Sequence, residues 1–341
     1  KWERTGQFDI GLDLGLFNNR LRITTDYYKK KTTDLLYSVA VPATSGYQTM
    51  LKNIGSIENQ GYELSIESDN LTGAFSWTTA FNIAFNRNKV LELGGEEYKE
   101  MAEGDGHLKT GSVRRLIVGE PIGVFYGYRF DGIFQNEEEC KQQTSSASPI
   151  GVGLRRYKDL NGDGKVDAAN DREILGDANP KFFGGLTNTF AYKGFELNVF
   201  LQYSYGNKIL NYNAMELENP TGGQNAYADM VNRWTPENPS NIYPKATTNR
   251  ALLVSDRFIE DGSYLKLKTL SLSYSFPKIN LKHIQGLRLY VTGQNLLTWT
   301  KYRGYDPEVS YRGASTLEAG EDFGGYPQSR TFMFGIKLDI K

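Results

Sequence analysis

The chain has 341 residues, of which 13% are aromatic and 36 are glycines. Its 39 Lys and Arg residues nearly balance its 40 Asp and Glu residues, which argues against a nucleic-acid-binding protein because such proteins carry a basic excess. A mean hydropathy of −0.50, with no apolar run longer than the four residues 251–254, excludes a transmembrane helix, which needs about 20 apolar residues.

Apolar residues recur at every second position in many segments of the chain. The first segment alternates from Phe8 to Leu16 and the last from Phe332 to Ile340. A period of two predicts strands with one apolar and one polar face, the pattern of a transmembrane β-strand. In 265–276 the apolar phase shifts, which predicts a β-bulge. The predicted strands are 7–16, 20–30, 61–68, 75–85, 112–118, 123–134, 183–192, 195–204, 264–276, 287–298 and 330–340.

The connections between these strands alternate strictly in length. The short ones lie at 17–19, 69–74, 119–122, 193–194 and 277–286, and the long ones at 31–60, 86–111, 135–182, 205–263 and 299–329. An antiparallel meander then has all its short turns at one end and all its long loops at the other. We therefore predict an all-β fold, a transmembrane antiparallel β-barrel with long extracellular loops and short periplasmic turns. The predicted strands, about 11, would be roughly half of a 22-stranded barrel.

Several short motifs occur in a fixed order along nearly the whole chain. They are Lys1-Trp2-Glu3-Arg4-Thr5, Phe17-Asn18-Asn19-Arg20-Leu21, Asn59-Gln60-Gly61-Tyr62-Glu63-Leu64, Gly119-Glu120-Pro121-Ile122-Gly123, Asp131-Gly132-Ile133-Phe134, Gly262-Ser263-Tyr264-Leu265-Lys266-Leu267, Gly293-Gln294-Asn295-Leu296, Tyr305-Asp306-Pro307-Glu308 and Tyr326-Pro327-Gln328-Ser329-Arg330-Thr331. By the order and spacing of these motifs, the chain resembles the SusC/RagA-type TonB-dependent outer-membrane transporters.

This resemblance implies import of a large nutrient, an oligosaccharide or a peptide, across the outer membrane of a Gram-negative bacterium. It also implies two partners, a SusD-like surface lipoprotein that covers the barrel and the TonB complex that supplies energy. The family's plug domain and TonB box precede the early barrel strands, and neither is found in this sequence. We therefore expect residues 1–341 to be the C-terminal part of a transporter barrel.

The segment 159–167 resembles the start of an EF-hand-type calcium loop, with oxygen-bearing residues at alternate positions and Gly164 at the sharp turn. The usual carboxylate at the twelfth position is replaced by Asn170, with Asp171 one residue later. The alternative is a polar turn whose side chains bond their own backbone. The candidate ligands of a structural calcium ion are Asp159, Asn161, Asp163, the carbonyl of Lys165, Asp167 and Asp171.

Aromatic residues are frequent on the predicted long loops. Their flat faces suit stacking on sugar rings or packing against peptide side chains. Alternatively, they pack the loops together or form the aromatic belt at the membrane interface. The candidate ligand-binding residues are Tyr205, Tyr212, Trp234, Tyr243, Trp299, Tyr302 and Tyr305.

Polar residues at alternate strand positions are expected to line a hydrated lumen that holds the plug. They include Glu63, Glu67, Glu196, Asn198, Gln202, Lys266 and Lys268. Catalysis has little support, because the two histidines, His107 and His283, are far apart and no Gly-x-Ser-x-Gly or phosphate-loop motif occurs. We expect transport, with no organic cofactor. The alternatives are a secreted calcium-binding β-sandwich that binds carbohydrate without transport, and a glycan-degrading enzyme.

Overall fold

A computed structural model describes residues 2–40, 49–53, 55–101, 108, 110–219, 225–247, 252–276, 284–308, 310–313, 315 and 317–340. Within these residues, nine long strands form one antiparallel sheet, here called the large sheet, whose strands neighbour each other in chain order. They are β1 (Arg4–Leu16), β2 (Leu21–Thr33), β3 (Ser56–Leu71), β4 (Phe75–Glu92), β5 (Phe182–Tyr192), β6 (Phe195–Tyr205), β7 (Tyr264–Ser275), β8 (Ile284–Thr300) and β9 (Thr331–Ile340).

Short and long connections alternate along the large sheet, as predicted. Short connections occupy 17–20, 72–74, 193–194 and 276–283, and long ones occupy 34–55, 93–181, 206–263 and 301–330. Most of the connection 276–283 lies outside the described residues. Lys193 and Gly194 both have left-handed backbone angles, with φ of 46° and 87°, which is the geometry of a two-residue hairpin turn.

The register places apolar and polar side chains on opposite faces of the large sheet. One row across β3 to β7 consists of Ile66, Phe81, Leu186, Leu201 and Leu267. The adjacent row, on the other face, consists of Ser65, Asn82, Gly185, Gln202 and Lys266. This division gives an apolar outward face and a polar lumenal face, as in a barrel that separates lipid from a hydrated interior.

The large sheet is open. Among the described residues, no pairing joins its two edge strands, β1 and β9. Their outward side chains are exposed, including Phe8 at 58% and Phe334 at 81%. The open sheet is therefore a partial barrel wall, which confirms the predicted all-β transmembrane barrel fold.

The predicted β-bulge lies at Lys268. Between β6 and β7 the pairing passes from Leu201–Leu267 to Phe200–Thr269, so Lys268 is the extra residue. The register between β7 and β8 is irregular at the same place. The bulge turns Lys268 toward the side of the sheet that Lys266 faces, because both ammonium groups contact the same carboxylate of Glu308.

Two of the predicted barrel strands, 112–118 and 123–134, do not belong to the large sheet, so the prediction of about 11 strands was wrong. In the structure these segments contain the strands Arg114–Ile117 and Val124–Tyr128, which pair with each other. They belong to a separate four-stranded sheet, whose outer strands are Tyr98–Glu100 and Arg172–Gly176. Both segments are buried rather than alternately exposed. Residues 119–122 therefore form a turn on the extracellular side, within one long connection, and are not a periplasmic turn.

The long connections 93–181, 206–263 and 301–330 pack together into a body that we call the loop unit. Its core contains Phe125, Leu175, Leu210, Met215 and Phe258, all buried. Smaller paired strands are Phe130–Ile133 with Arg155–Tyr157, Thr144–Ser145 with Lys165–Val166, and Ile259–Asp261 with Lys208–Asn211 and Glu321–Asp322.

Helices are few and short in the described residues. The loop unit holds α1 (Glu137–Lys141), α2 (Tyr212–Leu217) and the 3₁₀ helices Ala228–Asn232 and Asp256–Phe258. In the described ranges, no helix is long and apolar enough to cross a membrane. The remaining hairpin, Leu36–Ala40 with Thr49–Asn53, lies in the connection between β2 and β3.

The division into two faces predicts opposite effects of the same substitution at adjacent residues of β5. Leu186→Lys places a charge between Phe81 and Leu201 on the outward face and is expected to destabilise the barrel by about 2–4 kcal/mol. Thr187→Lys places the same charge on the lumenal face and is expected to cost less than about 1 kcal/mol. Urea unfolding of the full-length barrel in lipid vesicles measures both. Equal effects of the two substitutions would contradict the assignment of faces.

Candidate functional site

The lumenal face carries cross-strand ion pairs and hydrogen bonds along its length. The Arg22 guanidinium on β2 lies 3.0 Å from the Glu67 carboxylate on β3. Farther along the same face, Arg288 on β8 lies 2.5 Å from Glu196 on β6, with both side chains about 40% exposed. Asn198 donates to the Thr189 hydroxyl at 2.9 Å. These contacts provide a hydrated polar wall, as the alternation predicted.

The densest group of charges on this wall surrounds Lys266, near the extracellular end of β7. Its side chain is 2% exposed, and its ammonium group lies 2.6 Å from Asp306 Oδ1. It also contacts the Glu308 carboxylate, which Lys268 approaches to 3.0 Å. Gln202 Nε2 and the Tyr264 hydroxyl both donate to Glu308 Oε1 at 3.1 Å. We call these six residues the lysine anchor.

The two carboxylates of the lysine anchor are held in their charged forms. Burial alone would raise the pKa of Asp306, but hydrogen bonds from Lys266 and from backbone N–H groups outweigh burial and lower it. Burial likewise raises the pKa of Glu308, and hydrogen bonds from Lys266 and Lys268 lower it by more. Both groups therefore stay ionised at neutral pH.

The lysine anchor fixes the connection 301–330 to the barrel wall. Asp306 and Glu308 belong to this connection, whereas Lys266 and Lys268 belong to a strand. Because the anchored carboxylates meet the lumenal face, this loop turns into the barrel mouth instead of standing away from it. The sequence identified the motif around Asp306 and the two lysines separately. It missed their contact, which spans 40 residues between Lys266 and Asp306.

Ion pairs with buried carboxylates also join the connection 301–330 to the rest of the loop unit. The fully buried carboxylate of Glu218, just after α2, lies 2.6 Å from Arg257 and 2.8 Å from Arg303. Arg114, in the four-stranded sheet, lies 2.9 Å from Glu321, and both are nearly fully buried. The wall, the four-stranded sheet and the region of α2 are therefore all linked through one loop.

The structure separates the seven candidate ligand-binding aromatics into different environments. Tyr212, Trp234 and Tyr302 are buried in the loop unit. The Trp234 indole donates to Gln135 at 3.0 Å, and the Tyr302 hydroxyl donates to Asp322 at 2.5 Å. These three side chains pack the loops together, which is the alternative that the sequence left open.

Tyr205 and Trp299 lie on the outward face, at the extracellular ends of β6 and β8. Tyr205 stacks on Phe182 with ring centres 5.1 Å apart, and Trp299 pairs with Leu265 across the strands. Both are about half exposed. Their position is that of an aromatic belt at the membrane interface.

Tyr243 and Tyr305 are the two candidates that remain accessible in the loop unit. The Tyr243 hydroxyl donates to Asp229 at 3.2 Å, and the Arg257 guanidinium lies 5.2 Å from its ring centre. Tyr305 is 78% exposed and directly precedes the anchored Asp306. A ligand-binding role for these residues stays a prediction.

The predicted calcium loop is organised by its own side chains. Asp159 accepts from the backbone N–H groups of Gly162 and Gly164 at 2.7 and 2.6 Å. Asp163 accepts from the N–H of Lys165 at 2.8 Å, and Asn161 accepts from that of Asp163 at 3.2 Å. These contacts turn the oxygens of the first, third and fifth positions toward the same short stretch of backbone.

Asp171 and Asp167 close this loop. The buried carboxylate of Asp171 accepts from the N–H of Leu160 at 2.7 Å and from that of Asp167 at 2.7 Å. The backbone N–H of Asn170 and the ammonium group of Lys165 hold the pKa of Asp167 below its usual value. Asp171 therefore ties the start of the loop to its ninth position.

Metal-binding and catalytic groups are sparse in the described residues. In this part of the chain, no group of three or more His, Cys, Asp and Glu side chains is arranged to hold a metal ion. A calcium ion in the loop 159–171 would therefore depend on the Asn161 amide and the Lys165 carbonyl as well as on carboxylates. These oxygen donors fit the chemistry of calcium. His107 and His283 lie outside the described residues.

An open antiparallel wall with an apolar outward face, a polar lumenal face and long packed loops at one end defines part of an outer-membrane β-barrel. Residues 1–296 match the family described as "TonB dependent receptor-like, beta-barrel". The chain belongs to this family, whose members are outer-membrane proteins.

Curated relatives agree with this family over the whole chain. TonB-dependent receptor P3 of Formosa agariphila is 41% identical over 345 residues, which cover 99% of this chain and 34% of that protein. TonB-dependent receptor SusC of Bacteroides thetaiotaomicron is 30% identical over 354 residues, which cover 100% of this chain and 32% of that protein. The chain spans about a third of the length of the curated relatives it matches.

Solved structures show the same architecture. The chain superposes on the structure of the RagAB peptide transporter with a TM-score of 0.79 and 26% identity, covering 99% of this chain and 35% of that chain. The "open-open" state of the RagAB peptide importer gives a TM-score of 0.78 at 27% identity. The predicted resemblance to SusC/RagA-type transporters is confirmed.

The lysine anchor predicts unequal roles for its two lysines. Lys266→Met leaves Asp306 buried without its cation, and removing one partner of a buried ion pair typically costs about 3–5 kcal/mol. We expect the connection 301–330 to detach, with faster hydrogen exchange of the amides of residues 305–308 in the full-length transporter. Lys268→Met is the matched control, because Lys268 is 24% exposed and its loss leaves Lys266 in place. Unchanged exchange in Lys266→Met would show that the loop is held by other contacts.

Proposed function

We propose that this chain forms part of the barrel of a TonB-dependent importer that carries a large nutrient, an oligosaccharide or a peptide, across the outer membrane. The observation that carries the proposal is the polar lumenal face with a loop anchored at its extracellular mouth. The similarity to SusC and to the RagAB peptide transporter supports it. By the same similarity, we propose a SusD-like surface lipoprotein as the partner that covers the mouth and the TonB complex as the source of energy.

In this proposal, the residues of the chain hold a loop at the extracellular opening of the barrel and form a polar wall that cargo passes. The lysine anchor and the buried carboxylate of Glu218 hold the connection 301–330 in place, so the accessible ring of Tyr305 is presented at a defined position. Cargo that stacks on this ring is captured before it enters the lumen. The hydrated wall, with Glu67 and Glu196 in ion pairs, then offers water-like surroundings to a polar cargo.

We propose transport without bond chemistry, and with no organic cofactor. A secreted β-sandwich would not expose the long apolar rows of the outward face, such as those of β1 and β9, to water. The family to which the chain belongs comprises receptors and transporters, which also argues against the glycan-degrading enzyme.

Uptake by cells tests the proposed function. A strain that lacks the full-length transporter is expected to lose uptake of either fluorescent oligosaccharides or fluorescent peptides, and a strain without TonB is expected to show the same loss. Tyr305→Ala should reduce uptake about fivefold, because a lost ring contact costs about 1 kcal/mol. Tyr205→Ala is the matched control on the outward face and should have little effect. Uptake that persists without the transporter, or without TonB, would refute the proposal.

We further propose that the loop 159–171 holds a structural calcium ion, with Asp159, Asn161, Asp163 and the carbonyl of Lys165 as ligands and Asp167 near the ninth position. The ion would stiffen an extracellular turn that already packs Val166 into a small core with Tyr128 and Tyr157. Asp171 was predicted as a further ligand, but its two carboxylate oxygens accept from the backbone N–H groups of Leu160 and Asp167, so this proposal gives it the role of closing the loop.

Calorimetric titration of the chelator-treated full-length transporter with calcium chloride tests this site. We expect one binding event that the double substitution Asp159→Ala, Asp163→Ala abolishes, because two of the hard oxygen ligands are lost. Asp131→Ala removes a carboxylate outside this loop, which pairs with Arg156, and should leave calcium binding unchanged. Absence of heat from the wild-type protein at millimolar calcium would refute calcium binding.

A further inference from the structure

Four basic residues form a patch on the outward face of the large sheet, at the extracellular ends of β2 and β4. They lie in two neighbouring rows that the strand register defines. The first row runs Phe8, Lys29, Gln60, Arg87, and the second runs Gly6, Lys31, Glu58, Lys89. We call these two rows the basic patch.

The basic patch has an excess of positive charge. It contains four cations and one carboxylate, Glu58, which is already paired with Lys29 at 3.1 Å. Within the described residues, the structure gives no ion pair to Lys31 or Lys89, and both are exposed. Lys31 and Lys89 flank Glu58 on the two neighbouring strands, so their long side chains are close enough to reach the same anion.

The position of the basic patch along the barrel indicates what it meets. The next row toward the periplasmic side is Ile10, Tyr27, Tyr62 and Phe85, all on the outward face. The ring centres of Tyr27 and Tyr62 lie 6.5 Å apart, and those of Phe85 and Phe182 lie 5.9 Å apart. Aromatic rows of this kind mark the boundary between acyl chains and headgroups. The basic patch is one row beyond it, at headgroup level.

Lys30 lies on the face opposite the basic patch. It lies between Lys29 and Lys31 in the sequence but points to the lumenal face, in register with Gln7 and Asn59. The segment Lys29–Lys31 is therefore not one uniform basic run. Lys29 and Lys31 lie on the outward face, and Lys30 lies on the lumenal face.

We propose that the basic patch binds the phosphate group of a lipid in the outer leaflet, with the acyl chains of that lipid packed against the aromatic row of Tyr27, Tyr62 and Phe85. Lys31 and Lys89 contact the phosphate directly. Arg87 Nη1 donates to the backbone carbonyls of Asn86, Pro180 and Lys181, and the other N–H groups of its guanidinium add donors at the edge. The inference rests on the outer-membrane location of the barrel and is independent of the cargo.

Titration of the detergent-purified full-length transporter with phosphorylated lipid A, read by native mass spectrometry, tests the proposal. Wild-type protein is expected to retain the lipid, and the double substitution Lys31→Gln, Lys89→Gln is expected to weaken binding about tenfold or more, since two charge-assisted contacts to phosphate are lost. Lys30→Gln is the matched control on the other face and should change binding by less than about twofold. Heat-modified mobility of each variant on a gel verifies that the barrel is folded.

Two further probes test whether binding requires both the phosphate group and the acyl chains of the lipid. Dephosphorylated lipid A should bind the wild-type protein as weakly as phosphorylated lipid A binds the double variant. Sodium phosphate at millimolar concentration should not displace the bound lipid, because it offers no acyl chains to the aromatic row. The proposal is overturned if the double variant binds like the wild type, if Lys30→Gln loses as much binding, if dephosphorylated lipid A binds equally well, or if sodium phosphate displaces the lipid.

Discussion

The structure depends on one constraint, the antiparallel register of the large sheet. Each strand pairs with the next one in the chain, and side chains alternate faces along each strand except at irregularities such as the bulge at Lys268. A slip of one residue in any pairing would turn a row such as Phe81, Leu186 and Leu201 from lipid to water. The register therefore fixes which groups meet the membrane, which line the lumen, and which strand ends support the loop unit.

The constraint explains why charge is distributed as it is. On the lumenal face, Lys266 and Lys268 meet carboxylates that return from the connection 301–330, and the bulge at Lys268 lets both do so. On the outward face of β2 and β4, charged residues such as Lys31 and Lys89 lie only on the extracellular side of the aromatic row. The same residue type thus anchors a loop on one face and meets headgroups on the other, and its position in the register decides which.

The sequence predicted the barrel strands and their connections because period two and turn residues are local signals. It could not separate the strands Arg114–Ile117 and Val124–Tyr128 from barrel strands, because a short buried strand shows no alternation with which to locate its partner. Tyr212 and Tyr305 are indistinguishable as loop tyrosines in the sequence, yet one is fully buried and the other 78% exposed. The contact of Lys266 with Asp306 depends on where the loop returns, which no local pattern encodes.

The most direct test of this account is cysteine accessibility along residues 78–85 of β4 in the full-length transporter reconstituted in lipid vesicles, with Cys140→Ser removing the thiol of this chain and any cysteine elsewhere in the transporter also replaced by serine. Odd positions, which include Phe81 and Ile83, should react with a lipid-soluble maleimide, and even positions, which include Asn82, with a water-soluble one. Strict alternation is the predicted result. Labelling without alternation, or with the two faces exchanged, would contradict the register on which the wall, the lysine anchor and the basic patch all depend.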